Sequence, residues 1–385
     1  LTGVKRMNSP HWNECLIVNS RNKNEIFFYY YLFILCIVLL KNIYAGDVID
    51  CDPHKYKHLS QKFVKIAIFS PDSKYVLSGH RDHTVKLWCI SNGKLMKVFE
   101  HGELDWNLRL AFSPDMTMIA SSGYRCDDKI TKIWDIKSGK LKKIFHTYSE
   151  VLIFRPSGRH IVTASDSCLN LWNIESGNLE KKFIADQLNT FDKLWNISIG
   201  SIADQMFKKH TDRVRDIVFT SDEKYIACAV GNKIKLFNFN NPDEFFFLDG
   251  HDEIILHLKL SDDAKYLLSS SDSRLNSSLP KISSLKLWDI PNKKLIREYY
   301  IEKKYFSLIQ SLMFNHDGKK IIAGLWNHMI IIFDIHSASI LNIINLKARP
   351  HDFSSDGKFF ISIGKKLELW DSFTGKHVKT IWSDN

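Results

Sequence analysis

His80, Arg81, Asp82 and His83 stand in a row, and two imidazoles and a carboxylate packed this closely are of the types that bind a divalent metal or relay a proton. Their setting argues otherwise. The stretch GHRDH interrupts two runs rich in β-branched and aromatic residues, which makes it a turn, and neighbouring residues in a turn point in different directions. No C-x-x-C pair, H-E-x-x-H, G-x-S-x-G or G-x-x-x-x-G-K-[ST] occurs, so zinc, nucleophilic and phosphate-cradling chemistry all lack their signatures. Beyond residue 45 the cysteines Cys51, Cys89, Cys126, Cys168 and Cys228 are odd in number and irregular in spacing, which is not a disulfide framework. The expectation is no catalytic residue, no cofactor and no metal.

The elements that would position such residues declare themselves by repetition. Phe69 to Trp88, FSPDSKYVLSGHRDHTVKLW, has a layout that recurs to the end of the chain, with first anchors at Phe69, Phe112, Phe154, Phe219, Leu260, Phe314 and Phe353. Three residues after the anchor stand Asp72, Asp115, Asp222, Asp263, Asp317 and Asp356, with Ser157 in the third copy. Nine residues after it stand Ser78, Ser121, Thr163, Cys228, Ser269, Ala323 and Ser362, and an aromatic closes each unit at Trp88, Trp134, Trp172, Phe237, Trp288, Phe333 and Trp370. A period of about 42 residues overrides the two or three domains that 385 residues would suggest, because each unit buries its faces only against its neighbours.

Composition agrees with a packed array: 44% hydrophobic and 12% aromatic residues supply a continuous core. The net charge of +10 has a structural origin. Much of it lies in the closing segments GKLMKVF, GKLKKIF, NLEKKF, KKLIREYY and GKHVKTIW, where lysines protect an outermost strand from pairing with another molecule. No basic cluster is interleaved with stacking aromatics, so no nucleic-acid partner is expected.

Residues 1–45 read as an export signal or signal anchor. Ile26 to Leu40, IFFYYYLFILCIVLL, is an uncharged apolar run flanked by Arg21 and Lys23 before and Lys41 after. At about 1.5 Å per residue it falls short of the roughly 30 Å of a bilayer core, so it fits a signal segment better than a spanning helix. Ile43, Tyr44 and Ala45 form an imperfect cleavage site, which leaves membrane contact through residues 26–40 open. Either way the repeats are expected outside the cytosol, secreted or in a bacterial periplasm. Residues 46–63 are a lead-in or latch.

From Val64 each unit follows one script. In the first, Val64 to Phe69, Tyr75 to Ser78, Thr84 to Trp88 and Leu95 to Phe99 are strand-like runs, and SPDSK, GHRDH and SNGK are the turns between them. Four strands joined by three tight turns make an antiparallel meander, and a meander repeated at this period makes a blade series. Residues 64–385 therefore resemble a WD40 repeat protein, with the signature dipeptide at Trp134-Asp135, Trp288-Asp289 and Trp370-Asp371 and departures at Trp88-Cys89, Trp172-Asn173, Phe237-Asn238 and Phe333-Asp334. The expected fold is all-β, a propeller of seven four-stranded antiparallel blades plus one duplicated hairpin.

The resemblance also implies a hydrogen-bonded tetrad inside each blade, made of a His before the first strand, a second-strand Ser or Thr, an Asp in the following turn and the third-strand Trp. It maps onto Ser78, Asp82 and Trp88; Ser121, Asp128 and Trp134; Thr163, Asp166 and Trp172; and His251, Ser269 and Trp288. His210 and His251 stand at the spacing the motif requires, while His58, His101 and His146 would need a shifted turn. Units four, six and seven lack most of the set and should rely on apolar packing.

Two insertions interrupt the script. Leu194-Trp195-Asn196-Ile197 with Gly200 repeats Leu171-Trp172-Asn173-Ile174 with Gly177, so residues 184–209 read as an extra hairpin, either the remnant of an eighth blade or an appendage on the edge of the third. The lack of an accompanying first- and second-strand pair favours the appendage. Residues 273–284, SRLNSSLPKISS, read as an exposed loop between the second and third strands of blade five.

Two function classes follow. The leading one, implied by the resemblance, is a noncatalytic platform that binds one or more proteins. The alternative is an envelope or secreted propeller that binds a small ligand or acts as a hydrolase, which would need ionisable residues converging on the central channel. For the platform, the turns between second and third strands gather on one face, and Arg81, Arg125 and Trp326 are the side chains there that packing does not explain.

Overall fold

A computed structural model of the chain describes residues 63–102, 106–125, 128–165, 168–184, 213–241, 243–272, 283–301, 305, 307–315 and 317–383. The expected signal segment, all but the last residue of the lead-in, and nearly all of the extra hairpin lie outside the described residues, as do Asp166, His58 and His210.

Blade one is β1 (Val64–Phe69), β2 (Tyr75–His80), β3 (Thr84–Cys89) and β4 (Leu95–Glu100). Blade two is β5 (Trp106–Phe112), β6 (Met118–Arg125), β7 (Asp128–Asp135) and β8 (Leu141–Phe145). Blade three is β9 (Val151–Phe154), β10 (His160–Ser165), β11 (Cys168–Asn173) and β12 (Leu179–Ile184). Blade four is β13 (Val214–Phe219), β14 (Tyr225–Val230), β15 (Lys233–Asn238) and β16 (Phe245–Leu248). Blade five is β17 (Ile254–Leu260), β18 (Tyr266–Asp272), β19 (Ser283–Asp289) and β20 (Lys294–Tyr300). Blade six is β21 (Ile309–Phe314), β22 (Lys320–Leu325), β23 (Met329–Asp334) and β24 (Ile340–Asn345). Blade seven is β25 (Asp352–Phe353), β26 (Phe359–Ser362), β27 (Lys366–Asp371) and β28 (His377–Ser383). Each sheet holds four consecutive antiparallel strands, so the protein is a seven-bladed β-propeller. Ser283 and Ser284, expected in the blade-five loop, instead open β19, because they continue the ladder opposite Asp272 and Ser271.

The recurring Asp after each anchor now has a physical role. Asp72 accepts from the Ser70 hydroxyl at 2.7 Å and the Lys74 amide at 3.1 Å, and Asp115, Asp222, Asp263 and Asp356 repeat the pattern. The next residue in every blade takes a left-handed φ, from Ser73 at 55° to Gly158 at 72°, and this reverses the chain into the second strand. The Asp of each Trp-Asp pair does the same service in the turn between the third and fourth strands: Asp135 accepts from the Ser138 amide at 2.7 Å and Asp371 from the Thr374 amide at 2.7 Å.

The first strands touch in a closed cycle, β1 to β5, β9, β13, β17, β21, β25 and back to β1, and so surround the central channel. The cores lie between blades: Leu77, Leu87 and Phe99 of blade one pack on Leu110, Phe112 and Trp134 of blade two. Among the described residues no strand is borrowed to close the ring. Blade seven meets blade one through the Val64 amide on the Gly364 carbonyl at 3.0 Å, the Phe69 amide on Asp352 Oδ2 at 2.9 Å, and a shared core of Val64, Phe69 and Trp88 with Leu367, Leu369 and Ile381. Outermost strands carry the exposed apolar side chains, among them Leu95, Met96 and Val98 of β4.

Candidate interaction face

Antiparallel pairing of the first two strands sets the start of one beside the end of the other, as in Val64 opposite His80 and Ile309 opposite Leu325. The turns after the second strands and the connections leading into the first strands therefore share one face of the ring. Beneath that face sit the buried polar groups that stiffen five of the seven blades.

Blade five holds the fullest set. Trp288 Nε1 donates to Ser269 Oγ at 2.8 Å, and that oxygen lies 2.6 Å from His251 Nε2, whose Nδ1 is 3.0 Å from Ser271 Oγ. Burial keeps this imidazole neutral, so one of its nitrogens donates and the other accepts between Ser269 and Ser271. Burial pushes His251 down to about 3, and the nearby Lys286 adds to it. In blade one Trp88 Nε1 donates to Ser78 Oγ at 2.7 Å, but the histidine partner is His80, 2.8 Å away, at the end of β2. Asp82 is not joined to this group; it binds the Thr84 amide at 3.1 Å and Lys86 Nζ at 2.8 Å, so it orders the turn. In blade two the Ser121 hydroxyl contacts His101 Nδ1, and the imidazole lies 5.6 Å from the Trp134 ring. Arg125 and Asp128 pair across the β6–β7 ladder, and their side chains lie outside the described residues.

In blade three Trp172 Nε1 donates to Thr163 Oγ1 at 2.9 Å, while His146 is exposed and the buried Ser149 hydroxyl accepts the Ala164 amide at 2.9 Å. Blade seven, expected to lack most of the set, keeps half of it: Trp370 Nε1 donates to Ser362 Oγ at 2.9 Å. Blades four and six pack apolar groups there, with buried Cys228 and Phe237 in one and Ala323 and Phe333 in the other.

On the face itself, Arg81 is half-buried and Trp326 is 44% exposed. Trp326 does not stand alone. The Arg349 guanidinium lies over its ring with 3.3 Å to the centroid, and burial holds that guanidinium below its ordinary value. The stack is set from below. Gly324 has no side chain, and a Cβ there would fall 2.8 Å from Pro350 Cγ and 2.5 Å from Ser311 Oγ. Pro350 packs into that space and so carries Arg349 across to the indole two residues beyond Gly324. Sequence reasoning found the tryptophan as an odd aromatic in a turn but missed the arginine, which comes from the next blade's lead-in.

A second group missed by the sequence lines the channel. Arg109, Asp216, His257, Lys259 and Asp352 project from first strands, with His351 just before β25. Several are tied to the neighbouring blade: Asp216 Oδ2 accepts the Leu258 amide at 2.8 Å, His257 Nε2 donates to the Ile309 carbonyl at 3.0 Å, and Arg109 Nε donates to the Glu150 carbonyl at 2.6 Å. Burial raises Asp216 to about 6, against the pull of the Leu258 and Ile217 amides, Lys259 and Arg109. Burial also raises Asp352, opposed by the Phe69 amide and Lys259. His351 is pushed down to about 4 by burial, then by Arg349 and Arg109. Among the described residues no grouping of three or more His, Cys, Asp or Glu side chains is placed to hold a metal ion.

The family model for the WD domain, G-beta repeat, matches residues 54–89, 93–135, 140–173, 203–238 and 243–276.

Proposed function

From the premise that this chain is a WD40-repeat β-propeller, we propose that it is a noncatalytic protein-interaction platform. The observation that carries this reading is the Trp326–Arg349 stack. A large aromatic with 44% of its surface exposed, covered on one side by a guanidinium at 3.3 Å, sits where the connections gather. Trp and Arg are the types most enriched at binding hot spots, and a closed ring with interblade cores presents them with little conformational cost.

The test is crosslinking capture with the tagged full chain beside its Trp326→Ala variant. Loss of the crosslinked partner at unchanged thermal stability supports the platform with Trp326 at its binding point; retention of every partner by the variant puts the site elsewhere, and capture of no partner by the parent chain removes the platform. The platform acts outside the cytosol in this reading, supported by the apolar run of residues 26–40 between basic flanks. Mature protein beginning near Gly46 is the result expected from N-terminal sequencing, and full-length soluble protein in the cytosol would refute export.

One observation favours the second reading, a small-ligand or hydrolytic propeller: Arg109, Asp216, His257, Lys259, His351 and Asp352 do converge on the channel. Their carboxylates are engaged with backbone amides of adjacent blades, which is the work of interblade ties. Hydrolysis of ester or phosphoester model substrates that is abolished by His257→Gln would establish the second reading over the first.

A further inference from the structure

We propose that the Trp326–Arg349 pair is the docking point for an acidic linear segment, rich in Asp or Glu, of a partner protein. This rests on the platform reading and names the chemistry of what the platform takes.

Three observations converge on a carboxylate-bearing ligand. The first is the geometry of the cation. With the indole against its face, the Arg349 guanidinium keeps only its in-plane N–H edge for a ligand, and a planar fork of donors matches a carboxylate two bonds at a time. Its Nε is buried and has no acceptor among the described residues. The guanidinium is thus partly stripped of water before any ligand arrives, which strengthens a charge-assisted bond made there.

The second is the charge balance around the pair. Arg349 and Arg109 both help to hold His351 down, and Lys259 opposes the rise of the two channel carboxyls from blade five. Those carboxylates do not neutralise the mouth by pairing with Arg349. Asp216 accepts the Leu258 and Ile217 amides at 2.8 Å each and Asp352 accepts the Phe69 amide at 2.9 Å. His351 itself is neutral at neutral pH, held at about 4. Arg109 is engaged with the Glu150 carbonyl, so the cation left to an occupant is Arg349, and with the channel carboxylates turned to backbone amides it favours an acidic one.

The third is preorganisation. Pro350 fills the space above Gly324 and the Trp326 amide donates to the Leu308 carbonyl at 2.8 Å, so both members of the pair are fixed by backbone contacts. A linear segment then meets a preformed clamp, and the ordering cost falls on the segment alone.

The experiment uses the full chain and fluorescein-labelled poly-L-glutamate of defined length, with poly-L-lysine and a single-stranded RNA oligonucleotide of matched length as the other arms. Binding is read by anisotropy at low and physiological salt. The expected result is salt-sensitive binding of poly-L-glutamate, weaker by roughly tenfold or more in Trp326→Ala and in Arg349→Gln, with both variants melting like the parent. Trp326→Phe and Arg349→Lys replace any variant that fails to fold, and each is expected to weaken binding. No binding of poly-L-glutamate, binding that the substitutions leave unchanged, or tighter binding of the RNA through the same pair would overturn the proposal.

Crosslinking capture in parallel separates this from the platform reading. A partner that is captured through Trp326 while poly-L-glutamate fails to bind overturns the acidic segment and leaves the platform. Pair-dependent binding of poly-L-glutamate with no captured partner supports the docking chemistry and removes the platform.

Discussion

Ser269 takes a hydrogen bond from Trp288 and stands 2.6 Å from His251, so deleting its hydroxyl strands two buried nitrogens at once. Ser269→Ala is expected to lower unfolding free energy by about 1–3 kcal/mol, and Ser362→Ala, which strands only the Trp370 indole, by less. Urea unfolding of the two variants measures the difference, and equal losses would contradict the relay through Ser269. Trp134 is buried against Phe99 and His101, and Trp134→Ala is expected to cost about 3–5 kcal/mol. An unchanged melting temperature would make the blade-two core wrong. Trp326→Ala, by contrast, should stay within about 0.5 kcal/mol of the parent, since the side chain is largely outside the core.

Between elements, what matters is how closely one blade's backbone approaches the next. A Cβ on Gly79 of β2 would fall 2.1 Å from Leu108 Cδ2 of β5, so this glycine sets the spacing of blades one and two. Gly79→Ala is expected to cost about 1–3 kcal/mol by forcing Leu108 out of its packing, and Leu108→Ala in the same chain should recover part of it by opening room. A double-mutant cycle by thermal denaturation checks this; strictly additive losses would place the clash elsewhere. The ties are of the same kind at the closure, where Asp352 reaches the Phe69 amide and Lys379 Nζ donates to the Ser91 carbonyl at 2.7 Å.

At the scale of the ring, five histidines among the described residues are held neutral: His80, His257 and His351 at about 4, His101 and His251 at about 3, in each case chiefly by burial. An unfolded chain protonates them near the ordinary 6.5, and the folded one only near 4 or below, so their contribution is complete above 6.5 and is lost as pH falls from there toward 4. Asp216 runs the other way: held at about 6 against an ordinary 3.8, it favours the folded state as pH falls through that interval. Burial raises Asp352 in the same sense, and five imidazoles against two carboxyls give a melting temperature that declines from pH 7 to pH 5, with the steepest loss below about 6.5. Differential scanning fluorimetry across that range checks it, and His257→Gln should flatten the slope. A stability that rises on acidification would mean that the carboxylates, not the imidazoles, govern the ring.

What the amino-acid order determined by itself is everything a blade does within itself. The anchor, the Asp that closes the first turn, the left-handed residue after it and the closing aromatic act over separations of a few to about twenty residues, so their spacing repeats and the seven-blade count could be read from it. Ring closure, the channel and the interaction face were decided by tertiary structure, because their partners lie in different copies. Asp352 meets Phe69 across 283 positions, and Arg349 reaches Trp326 only because Pro350 of one lead-in packs over Gly324 of the preceding blade. Channel-facing positions carry Arg109, Asp216, His257 and Lys259 with no recurring type, so no period announces them. His80 serves in place of a residue before the first strand for a local reason: β2 runs on to His80, and residues two apart on a strand face the same side, which puts the imidazole beside Ser78.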